Sequence, residues 1–507
     1  MDQRRKYLFL WLALSLVAVL AACGEGSGQP SLASASDVSV LGSQKGVTPF
    51  IAFAELRGNS LARVRSIDYT IEPKAGTISK PVHVTYTIDA LNRRGYVANT
   101  SGMITLPVFG LYAGYDNLVS LQLVFEDTST QIIPVVITTD IYSDPNGIYD
   151  HPVILKKRAA GSVLGFDFFA MKSGLGTPII VDTDAEIRWA GIGIANAFSS
   201  AFHENRFVIG DQRSTKFQRL ELDGSIEDAF LVSTTYTGFH HNINPGKQAL
   251  LLHANAESGG VAKIESVVAE FDTSGAIIKE WDFADLLTTY MRTLGDDPGA
   301  FVRPGVDWFH TNAATYDPRD DSLIVSSREN FIIKVDYSTG NIIWILGDPT
   351  KYWYTFPSLR AKAVRLEDGG LYPVGQHATS ITSDGVLMLF NNGTASVNQP
   401  AGAPVGESRS YSAVSAYSIN ATTLIAREVW RFDYDRTVLS RFCSSAYEAS
   451  GKSLLVSYAT ANNLTKARLV GLNASRDVVF DFEYLSAIPC ATSWNATPVN
   501  LDDMEFV

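Results

Sequence analysis

One short pattern recurs six times in this chain, and that repetition limits its architecture more than any other feature. It consists of an apolar strand, a turn built on Asp or Asn, and a second apolar strand that often closes on Trp or Phe. The copies are PIIVDTDAEIRWAG at 178–191, LELDGSIEDAFLV at 220–232 and VAEFDTSGAIIKEWDF at 268–283. IIKVDYSTGNIIWILG at 332–347, AYSINATTLIAREVWRFD at 416–433 and RLVGLNASRDVVFDFEY at 468–484 complete the set. Asp, Asn and Gly tolerate the positive φ of tight turns, so each copy predicts a β-hairpin. Spread over residues 151–507, six copies come to about 60 residues each; repeats of roughly 40–50 residues with four strands signal a β-propeller, and the surplus goes to loop insertions. The expected fold is therefore all-β, with a six-bladed propeller at 151–507. A large sandwich or solenoid with incidental hairpins is the alternative. Helical periodicity is scarce, and EWDFADLLTTYMRTL at 280–294 is the one good helix candidate.

Residues 37–150 lack the Trp-closed hairpins. SIDYTIEPKAG, PVHVTYTID, GMITLPVFGLYAG and NLVSLQLVFED alternate apolar and polar residues between Pro and Gly breaks, which predicts a small antiparallel β-sandwich. The boundary falls in the loop-like YSDPNGIYDHP. Ahead of it, MDQRRK is followed by an apolar run from Tyr7 to Leu20 and by Leu20-Ala21-Ala22-Cys23, the layout of an export signal over 1–22. The run is short of the roughly 20 residues a membrane span needs. Its last four residues resemble the lipobox of bacterial lipoproteins, which implies lipidation of Cys23 and a Gly/Ser-rich tether over 23–36. With Gly24 after the Cys, the expected location is the periplasmic face of the outer membrane, a freely soluble periplasmic protein being the alternative. The only membrane contact expected is this lipid anchor. Net charge is −12 with no basic run beyond the signal, which argues against nucleic acid. Cys443 and Cys490 are the remaining cysteines; in an exported protein they suggest one disulfide, with two buried free thiols as the alternative.

A second periodic unit alternates with the hairpins: a polar cluster, a Gly or Asp turn, an apolar run of about four residues, then polar residues again. It reads GFHHNINPGKQALLLHANAE at 238–257, DWFHTNAATYDPRDDSLIVSSREN at 307–330, GQHATSITSDGVLMLFNNGT at 375–394 and RFCSSAYEASGKSLLVSYATA at 441–461. In three of the four the cluster centres on His: His241, His310 and His377. The same position of successive propeller blades comes near the same height around the axis, so these three predict convergence in or above a central channel. Arg328 follows the apolar run of its unit and could approach the same axis. Three imidazoles suggest Zn or Cu. Arg328 is a poor neighbour for a cation but suits a tetrahedral oxyanion, and the Asp ring that would hold Ca²⁺ is missing. The expectation is no metal and no cofactor, but a sulfate or phosphate cradle with one neutral His free to attack. Phe239, Trp308, Phe309 and Tyr316 could sandwich aromatic rings at a channel mouth, or equally belong to the core.

These motifs resemble the bacterial arylsulfate sulfotransferases. DWFHTNA…SSREN…VDYSTGNIIWILG and GQHA…LFNNG carry the likeness most specifically, and LPVFGLYAGYDNLVSLQLVFED is similar to the family's N-terminal sandwich. The resemblance extends over the chain beyond the tether. It implies a cofactor-independent ping-pong transfer from a phenolic sulfate donor to a phenolic acceptor. In that scheme His377 is the nucleophile that becomes sulfurylated, Arg328 and Asn312 bind the sulfuryl oxygens, and His310 exchanges a proton with the departing and arriving phenols. His241 is a further oxyanion donor, a role for which His240 is also a candidate. The chain departs from the family's pattern at HHN and NPGKQ, where an Asp and a Pro-Asn-Gly turn are usual, and in a tail without a Tyr-Arg ending. Those departures put the choice of acceptor in doubt. The lipobox implies anchoring where relatives are free in the periplasm. Two other functions compete: an aryl sulfate hydrolase on the same site, and a lipid-anchored propeller that binds without chemistry. Oligomeric state stays open, a homodimer included.

Overall fold

A computed structural model describes residues 37–98 and 102–507. The signal segment, the tether and Cys23 lie outside the described residues. No helix among the described residues is long and apolar enough to cross a membrane. The chain is all-β, and its described residues form eight small sheets. Each of the six repeated hairpins forms an antiparallel pair: Ile179–Asp182 with Ile187–Ala190, Lys216–Glu221 with Ile226–Phe230, and Val261–Phe271 with Ile277–Asp282. Ile332–Asp336 with Ile342–Leu346, Ala413–Asn420 with Ile425–Phe432, and Lys466–Leu472 with Val478–Leu485 follow. The expected helix spans Phe283–Thr293, capped by the Asp282 side chain on the amides of Ala284 and Asp285.

The polar units supply the other half of each later sheet. Tyr236–Pro245 pairs with Leu250–Ser258, Thr311–Asp317 with Ser322–Ser327, His377–Ile381 with Leu387–Asn391, and Ser445–Glu448 with Leu454–Thr460. Each of these four repeats is thus a meander of a polar hairpin and an apolar hairpin. Two sheets borrow strands from a distance. Asn495–Val499 pairs with Phe168–Lys172 in the first sheet of the repeat region, and Val153–Lys156 adds to the outer strand Val478–Leu485 of the sixth.

Buried apolar side chains join each of these sheets to the next. Trp189 of the first stacks on Phe207 of the second, and Phe217 of the second meets Phe239 of the third. Leu251 and Val325 share a cluster between the third and fourth, Ile324 and Leu389 between the fourth and fifth. Phe390 of the fifth faces Tyr458 of the sixth, and Phe480 of the sixth stacks on Phe169 of the first. The packing therefore runs in a closed cycle. Full burial of one such aromatic contributes about 1.5–3 kcal/mol, so the cycle is held by many equivalent seams rather than by one core.

Two further sheets come from the N-terminal region: Ser39–Lys45, Ile51–Arg57, Val97–Ala98 and Met103–Phe109 in one, Val64–Ile71, Val82–Thr87, Asp116–Phe125 and Thr130–Thr138 in the other. The second is completed by Met504–Phe506, parallel to Val82–Thr87. The expected boundary at residue 150 is therefore crossed by the end of the chain. Phe506 stacks on Tyr86, and the apolar cluster that holds both also takes in residues of the first, second and sixth repeat sheets.

Candidate active site

The three periodic histidines lie on the polar hairpins of three successive sheets, and each sits at an irregularity of the ladder. Strand register shifts between His240 and Ile243, between Thr311 and Ala313, and between His377 and Ser380. His241 and His310 take positive φ, 50° and 57°, and Ala378 beside His377 takes 53°. Such conformations cost about 1–3 kcal/mol in a non-glycine residue and cluster at functional sites; a bulge re-aims a side chain away from the regular pleat. In the sixth sheet Cys443, at φ 58°, occupies the corresponding place.

The rings converge as the periodicity predicts. His241 and His310 are 4.5 Å apart, centroid to centroid, and the Trp494 ring lies 5.6 Å from His241 and 6.2 Å from His377. Asn312 is fully buried and donates from Nδ2 to the Gln376 carbonyl at 2.8 Å, leaving its Oδ1 without a hydrogen-bond partner among the described residues. The Arg328 amide donates to the His310 carbonyl at 3.1 Å. Its guanidinium gives one arm to Glu329, while Nε has no partner among the described residues. His240 is also present, its Nδ1 3.0 Å from that of His241.

His377 is held in one tautomer. Its Nδ1 faces two oxygens, the Gly375 carbonyl at 3.0 Å and Asn392 Oδ1 at 2.8 Å. The Asn392 amide cannot be turned over, because its Nδ2 donates to the carbonyls of Ser440 at 2.8 Å and Cys443 at 3.0 Å. Nδ1 must therefore carry the hydrogen, and Nε2 carries the lone pair. Nε2 has no hydrogen-bond partner among the described residues. Burial, with the nearby Arg328 and His310 cations, holds the His377 pKa down to about 3, so the ring is neutral at any physiological pH.

His310 has the opposite character. Its Nδ1 is 2.6 Å from Asp307 Oδ2 and 2.7 Å from Glu265 Oε2. Burial opposes its charge, but the two carboxylates prevail over that and over Arg328, raising its pKa to about 9. Burial and neighbouring histidines press His241 well below the usual range, though Glu265 opposes them. The site thus pairs a neutral imidazole at His377 with an imidazolium at His310.

Donor atoms of His240, His241 and Glu265, and of Glu265, Asp307 and His310, each fall within 4.8 Å of one another. Two ligands of one tetrahedral ion at its ordinary bond lengths stand about 3.3 Å apart. The 2.6–2.7 Å spacings around His310 Nδ1 are those of a charge-assisted hydrogen bond and a close ion pair, and His240 and His241 face each other as donor and acceptor. By residue type and spacing both groups could hold a metal ion; in this structure the same atoms are joined by the hydrogen bonds and ion pairs just described.

The aromatic expectation needs correcting. Phe239, Trp308 and Phe309 are 0–1% exposed within the clusters that join neighbouring sheets, and the Tyr316 hydroxyl is tied to Asp321. Phe239, Trp308 and Phe309 stand within two residues of His240 or His310, but their side chains pack between neighbouring sheets and not with the imidazoles. The aromatic rings at the site are Phe198, Phe442 and Trp494. Phe198 stacks on Trp494 at 4.9 Å, and the Phe442 ring lies 5.9 Å from the Arg328 guanidinium. The Cys443–Cys490 disulfide is present and packs in the same small cluster as Phe442 and Trp494.

The profile of the arylsulfotransferase (ASST) family matches residues 155–495. The chain belongs to the arylsulfotransferase family. Within it, the chain is 26% identical to the arylsulfate sulfotransferase AssT of Escherichia coli O6:H1 (strain CFT073), over 35% of this chain and 36% of that protein. The figures for the arylsulfate sulfotransferase AssT of Lelliottia amnigena are the same, 26%, 35% and 36%. The similarity thus spans about a third of the length of these relatives. Among solved structures, a europium-containing methanol dehydrogenase aligns over 73% of this chain and 75% of its own at 10% identity, with a TM-score of 0.31. That score carries no weight for the fold of this chain.

Proposed function

We propose that this arylsulfotransferase moves a sulfuryl group from a phenolic sulfate ester to a phenolic acceptor by way of a sulfo-histidine at His377. The observation that carries the proposal is the clamp on His377 Nδ1, which aims a lone pair from a neutral ring outward through Nε2. In the first half-reaction Nε2 forms the N–S bond as the S–O bond to the aryl oxygen breaks. The positive charge that develops on the ring is met at Nδ1–H by Asn392 Oδ1 and the Gly375 carbonyl. Arg328 and Asn312 face the sulfuryl oxygens, and His310 gives its Nε2 proton to the departing phenolate. In the second half an incoming phenol returns that proton to His310 and takes the sulfuryl group from His377. Phe198, Phe442 and Trp494 are the aromatic surfaces against which the phenol rings pack.

The architecture suited to this is a six-bladed propeller whose polar hairpins line the channel, preceded by a two-sheet N-terminal domain. The closed cycle of sheet packing supports that reading. Export to the periplasmic side of the outer membrane through lipidated Cys23 completes the proposal, and the disulfide fits an oxidising compartment. The test mixes the purified chain with a chromogenic aryl sulfate, with and without added phenol. Release of the chromophore that depends on the phenol, with the sulfate recovered on it, is the expected result. Release without phenol would make the chain a hydrolase, and no release would leave a binding protein.

A further inference from the structure

We propose that Glu265 is a positioning residue that, with Asp307, keeps His310 protonated and its Nε2–H turned toward the reacting oxygen, fitting the enzyme to esters of unactivated phenols. This rests on the sulfuryl-transfer reading. Glu265 lies outside the periodic slot, on the neighbouring strand Val261–Phe271 at φ 45°, and its amide donates to Asn255 Oδ1 at 2.9 Å. Asn255 belongs to the opposing strand, where the register shifts between Ala254 and Ala256. A strained glutamate is thus fixed from both strands with its carboxylate toward two histidines, 2.7 Å from His310 and 3.5 Å from His241.

One Nδ1–H serves one acceptor at a time. Asp307 takes it, and is itself steadied by Asn398 Nδ2 at 2.9 Å, whereas Glu265 Oε2 has no hydrogen bond of its own among the described residues. Asp307 therefore suffices to orient the ring, and Glu265 contributes charge. The other groups that act on His310 are cationic Arg328 and the rings of His241, His240, His253 and His377, all held below the usual imidazole range by burial. Without the second carboxylate, burial and Arg328 would leave an ordinary imidazole, largely neutral at pH 7. With it, His310 has a basicity close to that of an unactivated phenol, near 10, and proton exchange with such a phenol is nearly balanced in both half-reactions.

The sign follows from the raised pKa: the acid is present below about 9 and is lost as pH rises through that value. The experiment compares wild type with Glu265→Gln, which keeps shape and removes charge. On phenyl sulfate the alkaline limb of kcat/KM should move down by about two pH units or more, from about 9 toward the range of an ordinary imidazole, with a roughly tenfold or greater loss at pH 8. On a nitrophenyl ester, whose phenolate leaves without a proton, the loss should be several-fold smaller. Nitrogen chemical shifts should show His310 as imidazolium at pH 7.5 in wild type and as neutral imidazole in the variant. Superimposable pH profiles, equal losses on both esters, or an unchanged His310 titration would overturn the role of Glu265 while leaving sulfuryl transfer intact. A wild-type protein that moves no sulfuryl group would instead remove the reading on which this one rests.

Discussion

Asn392 offers the sharpest test of the proposed nucleophile at His377. The residue is fully buried, accepts from His377 Nδ1 at 2.8 Å, and donates to Ser440 and Cys443. Asn392→Ala removes one of the two acceptors for Nδ1–H and leaves the Gly375 carbonyl at 3.0 Å. The lost bond strengthens as positive charge builds on the ring, and a hydrogen bond to a charged group is worth about 1.5–3 kcal/mol. At about 1.36 kcal/mol per tenfold, sulfurylation of His377 should slow roughly 10- to 160-fold. Stability should fall less than the count of broken bonds suggests. The Ser440 carbonyl keeps the Ser412 hydroxyl at 3.1 Å, so only the Cys443 carbonyl is orphaned, at about 1–3 kcal/mol. Rapid-mixing measurement of the first burst of phenolate reads the sulfurylation step, and thermal unfolding reads the stability. Asn392→Asp separates the two effects, since it keeps an acceptor for Nδ1–H and gives up both donated bonds. It should lose stability as the Ala variant does while sulfurylating faster than it. A burst rate for Asn392→Ala within threefold of wild type would refute the clamp.

Three further outcomes are expected. His377→Ala should abolish turnover of every aryl sulfate while circular dichroism and the unfolding temperature stay near those of wild type; substantial residual transfer would remove the nucleophile assignment. Arg328→Lys should lose on the order of 10²–10³-fold in kcat/KM, because one guanidinium arm is committed to Glu329 and an ammonium cannot hold that pairing and still reach two oxygens. Replacing Cys443 and Cys490 together by Ala should lower unfolding stability by about 4 kcal/mol from loop closure across 47 residues, with a smaller effect on transfer, since the Cys443 carbonyl that holds Asn392 remains; unchanged denaturant midpoints would count against it.

The hairpins were legible because turn chemistry and strand alternation are local, and all six lie where the sequence puts them. The histidine slot was legible for a different reason. A repeated architecture converts sequence period into spatial coincidence, so His241, His310 and His377 could be brought together without any knowledge of distances. What the period cannot carry is anything contributed from outside the slot. Asn392 is one of the polar residues that end its own unit, and nothing in the period singles it out; its role comes from the carbonyls of Ser440 and Cys443, about 50 residues on. Glu265 sits in the outer part of an apolar hairpin and reaches the site because a bulge and positive φ re-aim it, a backbone event that no residue type announces. Trp494 arrives with the strand that closes the first sheet, so its partners are set by ring closure rather than by neighbours in sequence. Of the two places open to Phe239, Trp308 and Phe309, a channel mouth or the core, they take the core, packed in the clusters between neighbouring sheets. In a fold of this kind the three histidines of the site are therefore written in the period. The groups that surround them and set their protonation states are written in its exceptions: the bulges, the closing strand and the disulfide-bonded loop.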